Sequence, residues 1–391
     1  MKKKIVIGIT GSIAAFKTIQ LISDLNKMNY DLEVIMTESA CQFVTPLSIQ
    51  SLIKKPVYID IFDDDPSTIA HIDVVKNDDV FIIVPASANT IAKIANGIAD
   101  NMLSAAFLAA TCKKLIAPAM NVHMYENPIT QANIRKCKEY GMIFIEPING
   151  LLACGDIGNG KLADQKTIIS MIEYCLHDKP LSGKNVLVTA GPTIEAIDPV
   201  RYITNHSSGK MGYSIAKAAF NLGANVTLVS GPTSLDIPFG VRCINVKSAE
   251  EMFNICKDLF DNQDYVIKAA AVGDYSPIDV ANEKIKKNDA SMTLELKKNK
   301  DILAYLGKHK THQKICGFAM ETQNLLENAN KKLINKNCDM LVANSLKTEG
   351  AGFKNDTNVV TLLFKDHQIE LDLMQKQDLA YIILKELMEC E

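Results

Sequence analysis

The feature that most constrains the fold is a repeated alternation of short apolar segments with amphipathic segments of helical length. In the first half, apolar segments of strand length occupy Lys4–Thr10, Leu32–Thr37, Val80–Pro85, Lys114–Pro118 and Met142–Glu146. Strands of such continuous apolar character are typical of a parallel sheet that is buried on both faces. The helical segments between them are Ile13–Met28, Asn89–Ala110, Thr130–Tyr140 and Lys166–His177. The sequence therefore predicts an α/β architecture.

The pattern stops at a polar stretch that contains Pro180 and Gly183, and then it begins again. A chain of 391 residues exceeds what one hydrophobic core usually organises. We therefore predict a first domain over residues 1–178, a linker over 179–185 and a second domain over 186–391. The predicted strands of the second domain are Asn185–Thr189, Asn225–Ser230, Tyr265–Ala271, Lys314–Met320, Asp339–Ala343, Asn358–Phe364 and Gln368–Leu373, of which the last two form a hairpin. Helices are predicted at Met211–Leu222 and Gln375–Glu389.

Composition excludes several classes of function. The formal net charge is -3, so no bulk positive field favours nucleic acid or an anionic membrane. No segment approaches the roughly 18 uninterrupted apolar residues of a membrane-spanning helix. The ten cysteines form no CxxC pair and no tight framework, which argues against a zinc site and a disulfide scaffold. These features predict a cytoplasmic protein with reduced thiols.

Polar residues follow two strands of the first half where an open α/β sheet places its ligand crevice. Gly11 and Ser12 follow the first strand, and Ser87, Asn89 and Thr90 follow Val80–Pro85. Backbone N–H groups and hydroxyls at such turns can bind a phosphate, although helix capping alone also explains them. The GxGxxG fingerprint of dinucleotide sites is absent, which disfavours a conventional NAD site.

Four separated motifs of the first half resemble the FMN-dependent cysteine decarboxylases, specifically phosphopantothenoylcysteine decarboxylase. They are His71, the PASANT turn at Pro85, Pro118-Ala-Met-Asn and Ala153-Cys-Gly-Asp, and they occur in the order of the family. One departure is Tyr125, which stands where the family often has Trp. The resemblance covers essentially the whole first half and implies a flavodoxin-like FMN domain.

The resemblance also implies the roles of individual residues in an oxidative decarboxylation. In this chemistry FMN takes electrons from the cysteine moiety of the substrate, and the resulting thioaldehyde loses CO2. His71 is then the catalytic base, Asn121 holds the departing carboxylate, and Cys154 protonates the reduced aminoenethiol. An imidazole that titrates near neutrality and a largely protonated thiol suit these tasks. The positions that match FMN-binding residues of the family are Gly11, Ser12, Ile13, Thr37, Ser39, Ser87, Asn89 and Thr90.

The second half has its own dense polar motif, in which Asn205, Ser207, Ser208 and Gly209 precede a predicted helix. Such a helix N-terminus suits an anion, whereas capping by one serine would not need so many polar groups. The stretches DPVRYITNHSSGKMG, AAAVGDY, EKIKK and GFAMET resemble phosphopantothenate–cysteine ligase, fused behind the decarboxylase as in the bacterial bifunctional enzyme. This resemblance implies a Rossmann-like domain with a C-terminal hairpin.

The ligase reaction uses CTP and a divalent cation, Mg²⁺ or Mn²⁺, to form an acyl-cytidylate that the amine of L-cysteine attacks. By resemblance, Asn205 acts on the acyl-cytidylate of 4'-phosphopantothenate, and Lys284 assists its formation. The metal ligands stay unassigned. Three departures from the family pattern are Ile194, Gly273 and Lys300, of which the last weakens the assignment of the nucleotide loop. The nucleotide-binding positions are Asp274, Asn299, Lys300, Asp301, Ile302, Phe318, Lys332 and Lys336.

The resemblance further implies a homo-oligomer, because related decarboxylase domains form trimers and related ligase domains form dimers. Both contacts together would give a larger assembly, such as a dodecamer. Three alternatives stay open: an oxidoreductase with an appended domain, a flavin-binding subunit without catalysis, and a chain with only one active half. The absence of a dinucleotide motif disfavours the first, and the presence of His71, Asn121 and Cys154 disfavours the second.

Overall fold

The computed structural model describes residues 2–62, 69–152, 155–286, 292–321, 325–345 and 355–390. The chain divides into two compact units, Met1–His177 and Asp178–Glu391. Each unit is built around its own sheet.

The first unit contains a six-stranded sheet in the order β3-β2-β1-β4-β5-β6, and all its neighbouring strands run parallel. Without the two-residue edge strand β3, the order is that of flavodoxin-like sheets; with it, the order is that of the Rossmann fold. A separate antiparallel hairpin consists of β7 and β8. The strands are β1 Lys4–Ile9, β2 Asp31–Met36, β3 Val57–Tyr58, β4 Val80–Ala86, β5 Lys113–Pro118, β6 Ile143–Phe144, β7 Ile148–Leu151 and β8 Ile157–Lys161.

Helices cover both faces of this sheet. Side chains alternate between the two faces of a strand, so Ile5 and Ile7 of β1 join one buried cluster while Val6 joins the other. Burial on both faces explains the continuous apolar pattern of these strands. The helices are α1 Ala15–Lys27, α2 Glu38–Cys41, α3 Pro46–Ile53, α4 Ala70–Asp73, α5 Ala88–Ala95, α6 Met102–Ala109, α7 Val122–Glu126, α8 Pro128–Glu139 and α9 Gln165–Leu176.

The single helix predicted over Asn89–Ala110 is wrong. Helix α5 ends at Ala95, and Gly97 then adopts a left-handed φ of 69°. Asn101 starts α6 with a capping box, in which its side chain accepts from the backbone N–H of Ser104 and the Ser104 side chain accepts in return. The left-handed glycine follows the end of one helix and the capping box starts the next, so the segment forms two helices in spite of its apolar character.

The second unit contains an eight-stranded sheet in the order β13-β12-β9-β14-β17-β18-β19-β20. Its strands are parallel up to β18, while β19 and β20 are antiparallel, which confirms the predicted C-terminal hairpin. Two small antiparallel ladders pair β10 with β11 and β15 with β16. The strands are β9 Asn185–Ala190, β10 Ile194–Ala196, β11 Tyr202–Thr204, β12 Asn225–Ser230, β13 Arg242–Asn245, β14 Tyr265–Lys268, β15 Tyr275–Pro277, β16 Leu296–Lys298, β17 Lys314–Glu321, β18 Met340–Ser345, β19 Thr357–Leu363 and β20 Gln368–Gln375.

A cluster of buried hydrophobic side chains lies on each face of this second sheet. Val188 of β9 packs in one cluster and its neighbour Leu187 packs in the other. The helices are α10 Lys210–Asn221, α11 Ala249–Leu259, α12 Ile302–His309, α13 Leu325–Asn335 and α14 Lys376–Glu389, with a 3-10 turn at Phe260–Asn262. No helix in the described part of the chain is long and apolar enough to cross a membrane.

Candidate functional site

The carboxyl ends of β1 and β4 are tied together in the first unit. Thr10 donates its hydroxyl to the carbonyl of Pro85 at 2.7 Å and accepts from the backbone N–H of Ser87 at 2.9 Å. These two strands lie where the sheet order reverses, which is where open α/β sheets bind ligands. The link fixes the distance between the two turns that carry Gly11 and Asn89.

A cleft of about 570 Å³ opens beside this link. Six of the predicted cofactor residues line it, namely Gly11, Thr37, Ser39, Ser87, Asn89 and Thr90. A β-carbon at Gly11 would lie 2.6 Å from the β-carbon of Ser39, so only glycine lets the loops after β1 and β2 approach so closely. Thr37 and Ser87 also cap α2 and α5, so their capping role and their place in the cleft coexist.

Other predicted residues of the first unit lie outside that lining. Ser12 reaches the carbonyl of Ala119 with its hydroxyl at 3.4 Å, and the Ile13 side chain is 57% exposed. His71 lies in the short helix α4 and is half-buried. Its Nδ1 is buried, and within the described ranges it has no hydrogen-bond partner. The predicted proton donor, Cys154, falls outside the described residues.

Asn121 caps α7 three residues after the end of β5, and both ends of its amide are hydrogen-bonded. Its oxygen accepts from the backbone N–H of His123 at 2.8 Å, and its nitrogen donates to Asp156 at 2.8 Å. The sequence did not single out Asp156 as a site residue, because nothing in the motif shows which turn it meets. The cleft also has lining residues that sequence reasoning missed, including Asp60, Lys93 and Asp100.

In the second unit, the predicted nucleotide loop is held by hydrogen bonds after β14. The backbone N–H of Asn299 donates to the carbonyl of Asp274, and its side-chain nitrogen donates to the carbonyl of Gly273, both at 2.8 Å. The side-chain oxygen of Asn299 accepts from Ser276 at 2.7 Å. The next residue, Lys300, places Nζ 4.9 Å from the centre of the Phe253 ring. These contacts fix the start of the loop.

Charged residues gather at the other end of the loop. Asp301 caps α12 by accepting from the backbone N–H of Ala304 at 2.9 Å, and it pairs with Lys336 at 2.8 Å. Burial is the largest single influence on the pKa of Asp301 and raises it. The hydrogen bonds from Lys336 and from the backbone N–H of Ala304, together with nearby positive charge, outweigh burial and lower the pKa below its usual value. Lys332 donates to the carbonyl of Phe318 at 2.8 Å, near the carboxyl end of β17. Ile302 is buried in the core and contributes packing.

The structure adds Lys268 to this charged group. It is half-buried at the end of β14, and its Nζ donates to the carbonyl of Ala270 at 3.2 Å. Burial, followed by the nearby charge of Lys332, lowers the pKa of Lys268 to about 8. A lysine that closes an apolar strand was a visible sequence signal, but its meaning depends on Lys332, which lies far along the chain.

The remaining predicted ligase residues lie on connecting segments. Asn205 is exposed and donates to the carbonyl of Ala271 at 3.1 Å. Lys284 is exposed on a segment whose next residue, Ile285, accepts from the Arg201 guanidinium at 3.1 Å. Among the residues that the structure describes, no group of three or more His, Cys, Asp or Glu side chains is arranged to hold a metal ion.

Comparison with known proteins covers both units. The flavoprotein family model matches residues 1–177, and the model of the DNA/pantothenate metabolism flavoprotein C-terminal domain matches residues 181–390. Together with the two sheets, these matches define a two-domain α/β flavoprotein.

Full-length relatives specify the family further. The coenzyme A biosynthesis bifunctional protein CoaBC of Bacillus subtilis (strain 168) is 49% identical over 98% of this chain and 96% of its own length. The protein of the same name from Vibrio vulnificus (strain YJ016) is 42% identical over 98% of this chain and 97% of its own length. The chain belongs to the family of bifunctional coenzyme A biosynthesis proteins. A crystal structure of the C-terminal domain of a CoaBC protein is 45% identical, with a TM-score of 0.47, over 54% of this chain and 96% of that chain.

Proposed function

We propose that this chain makes 4'-phosphopantetheine in two steps of coenzyme A biosynthesis. The second unit joins L-cysteine to 4'-phosphopantothenate with CTP, and the first unit then decarboxylates the cysteine moiety with FMN. The observation that carries this proposal is the match to bifunctional relatives over nearly the whole length of both partners. It supports a ligase and a decarboxylase within one chain.

The cleft of the first unit suits FMN in its size and its polar groups. Its predicted contact residues are neutral, with hydroxyls at Thr37, Ser39, Ser87 and Thr90 and an amide at Asn89. Hydroxyls and amides can bond the polar edge of a flavin ring and a phosphate without requiring a charged partner. When bound, FMN supplies a two-electron acceptor that later returns the electrons, so no external reductant is needed.

Three side chains of the decarboxylase would then have one task each: two of them transfer a proton, and one binds the carboxylate. His71 accepts a proton from the cysteine moiety, because imidazole is the side chain that most often acts as a general base. Asn121 holds the substrate carboxylate through its amide N–H, which leaves the group free to depart as neutral CO2. Cys154 returns a proton to the product, a role that the sequence motif supports.

The charged edge of the second unit suits a nucleoside triphosphate. Lys268, Lys332 and Lys336 would attract the phosphates, while Asn299 keeps the loop in place. A Mg²⁺ or Mn²⁺ ion fits a site of this composition if it arrives with the nucleotide, because Mg²⁺ is commonly held by one or two carboxylates together with substrate phosphates.

The activation step is assigned to Lys284 and Asn205. An unactivated carboxylate is a poor electrophile, whereas an acyl-cytidylate carries a good leaving group. Lys284 stabilises the negative charge that develops as this anhydride forms, and Asn205 binds the anhydride while the cysteine amine attacks. The exposure of Lys284 leaves its ammonium accessible to a substrate.

The same proposal includes the assembly and the compartment. Trimeric contacts between decarboxylase units and dimeric contacts between ligase units would give a homo-oligomer in the cytoplasm, with no nucleic-acid or membrane partner. Every cysteine in the described ranges is a free thiol, as reducing conditions require.

The test begins with the absorption spectrum of the purified full-length protein, which should show bound flavin. The protein is then supplied with 4'-phosphopantothenate, L-cysteine and CTP, and CO2 release and CTP-dependent amide formation are followed separately. Both activities are expected. A well-folded protein that takes up no added FMN would contradict the decarboxylase assignment, and amide formation without CTP would contradict the ligase assignment.

A further inference from the structure

The two ends of the Asn121 amide face groups of opposite hydrogen-bonding character. The backbone N–H of His123 can only donate and lies 2.8 Å from Oδ1, whereas the Asp156 carboxylate can only accept and lies 2.8 Å from Nδ2. Turning the amide over would place oxygen against oxygen and N–H against N–H. The pair of contacts therefore selects one orientation of the amide, with its donor end toward Asp156.

Asp156 is brought to this turn by close packing of the hairpin formed by β7 and β8. The carbonyl of Gly160 accepts from the backbone N–H of Met120 at 3.0 Å. A β-carbon at Gly160 would lie 2.4 Å from the carbonyl oxygen of Met120, and one at Gly158 would lie 2.5 Å from a methyl carbon of Val122. The two glycines thus let the hairpin backbone touch the turn on both sides of Asn121.

We propose that Asp156 is a positioning residue of the decarboxylase: by accepting one N–H of the Asn121 amide, it keeps the nitrogen, and not the oxygen, of that amide on the side that meets the carboxylate of the substrate. This inference rests on the proposed function, in which Asn121 binds that carboxylate. An amide in the other orientation would offer its oxygen to the substrate, and two oxygens that both carry negative charge repel each other. Asp156 thereby controls recognition of the group that the reaction removes.

The experiment uses the full-length flavoprotein and compares two ligands that differ in this group. The kcat/KM for 4'-phosphopantothenoylcysteine reports binding and reaction of the carboxylated substrate, and the inhibition constant of 4'-phosphopantetheine reports binding without the carboxylate. Asp156→Ala should lower kcat/KM by about 10- to 100-fold, the range expected for a hydrogen bond to a charged group. The inhibition constant should stay within about twofold.

Two further variants complete the series. Asp156→Asn keeps the size of the side chain and one acceptor oxygen, so its loss should be smaller than that of Asp156→Ala; it also replaces Asp156→Ala if that variant does not retain FMN. Asn159→Ala changes an exposed residue of the same hairpin and should behave like the wild type. In a background of Asn121→Ala, the loss of Asp156 should cost little more, because the amide that it directs is gone.

Equal weakening of both ligands by Asp156→Asn would overturn the inference, since it would show that Asp156 only shapes the hairpin. Wild-type kcat/KM in Asp156→Ala would overturn it as well. Both outcomes leave the proposed function intact as long as the wild type releases CO2. Failure of the wild type to do so, with FMN bound, would refute the proposed function and this inference together.

Discussion

The two units present their candidate sites at the same place, the carboxyl edge of a parallel sheet, but they equip that edge differently. In the first unit the predicted contact residues are neutral, and the nearby charges of Lys93 and Asp100 pair with each other at 2.7 Å. In the second unit Lys336 pairs with Asp301 of the predicted nucleotide loop, and the charge of Lys332 lies near that of Lys268. In both units the sheet supplies a crevice, and the loops around it select the ligand.

The largest expected difference between the two units is the effect of replacing His71. We expect His71→Asn to lower CO2 release by about 10²- to 10⁴-fold, the range for removal of a general base. CTP-dependent amide formation and flavin content should not change, as we expect of two sites that act independently. The matched control is His123→Asn, since this exposed imidazole lies beside Asn121 and has no assigned role. Equal activity losses in both variants would contradict the assignment of His71.

A smaller effect is expected for Lys336, which pairs with the predicted nucleotide loop. Lys336→Ala should raise the KM for CTP about tenfold, because it removes a cation that pairs with Asp301 beside the loop. Lys331→Ala is the control, since Lys331 is exposed and pairs with Glu327 at 2.6 Å within α13. Steady-state kinetics of amide formation measures both variants. Equal changes in the two KM values would show that the overall positive charge of the unit, and not the position of Lys336, attracts the nucleotide.

The smallest expected effect is a dependence on pH. Because the pKa of Lys268 is lowered to about 8, its ammonium is lost above that pH and the KM for CTP should rise. In the unfolded chain this lysine keeps its proton up to about pH 10.4. The unfolded state then binds more protons between these values, so Lys268 makes the free energy of unfolding increase with pH there.

Lys268→Met should remove this pH dependence both from the KM for CTP and from the free energy of unfolding. CTP kinetics and chemical denaturation between pH 7 and about 10 would measure the two quantities. A KM profile that keeps its rise in the variant would assign the titration to another group.

The sequence predicted most of both sheets because their buried strands are apolar throughout. Strands β1, β2, β9 and β12 lie within a residue of the predicted positions. The hairpin of β7 and β8 was not among the predicted strands, because its residues are mostly polar or small and exposed and show no alternation. Local sequence carries little signal for strands that bury no side chains.

Some features of the candidate sites could be predicted from the sequence and others could not. Gly11 and Asn89 could be placed in one crevice, because parallel strands end at a common edge. The hydrogen bond between Asp156 and Asn121 and the nearness of the charges of Lys268 and Lys332 could not be predicted, since each joins segments that meet only after folding. Spacing along the chain predicts which edge a residue occupies, but it does not predict its partner across a loop.

The most direct test of two independent sites is a mixing experiment with His71→Asn and Lys284→Gln. Each is supplied with 4'-phosphopantothenate, L-cysteine and CTP, and the products are separated. His71→Asn should accumulate 4'-phosphopantothenoylcysteine; Lys284→Gln should form none, yet should decarboxylate it when it is added. An equal mixture should therefore yield 4'-phosphopantetheine. If folded, flavin-loaded Lys284→Gln fails to decarboxylate the added intermediate, the two sites are not independent and the account is wrong.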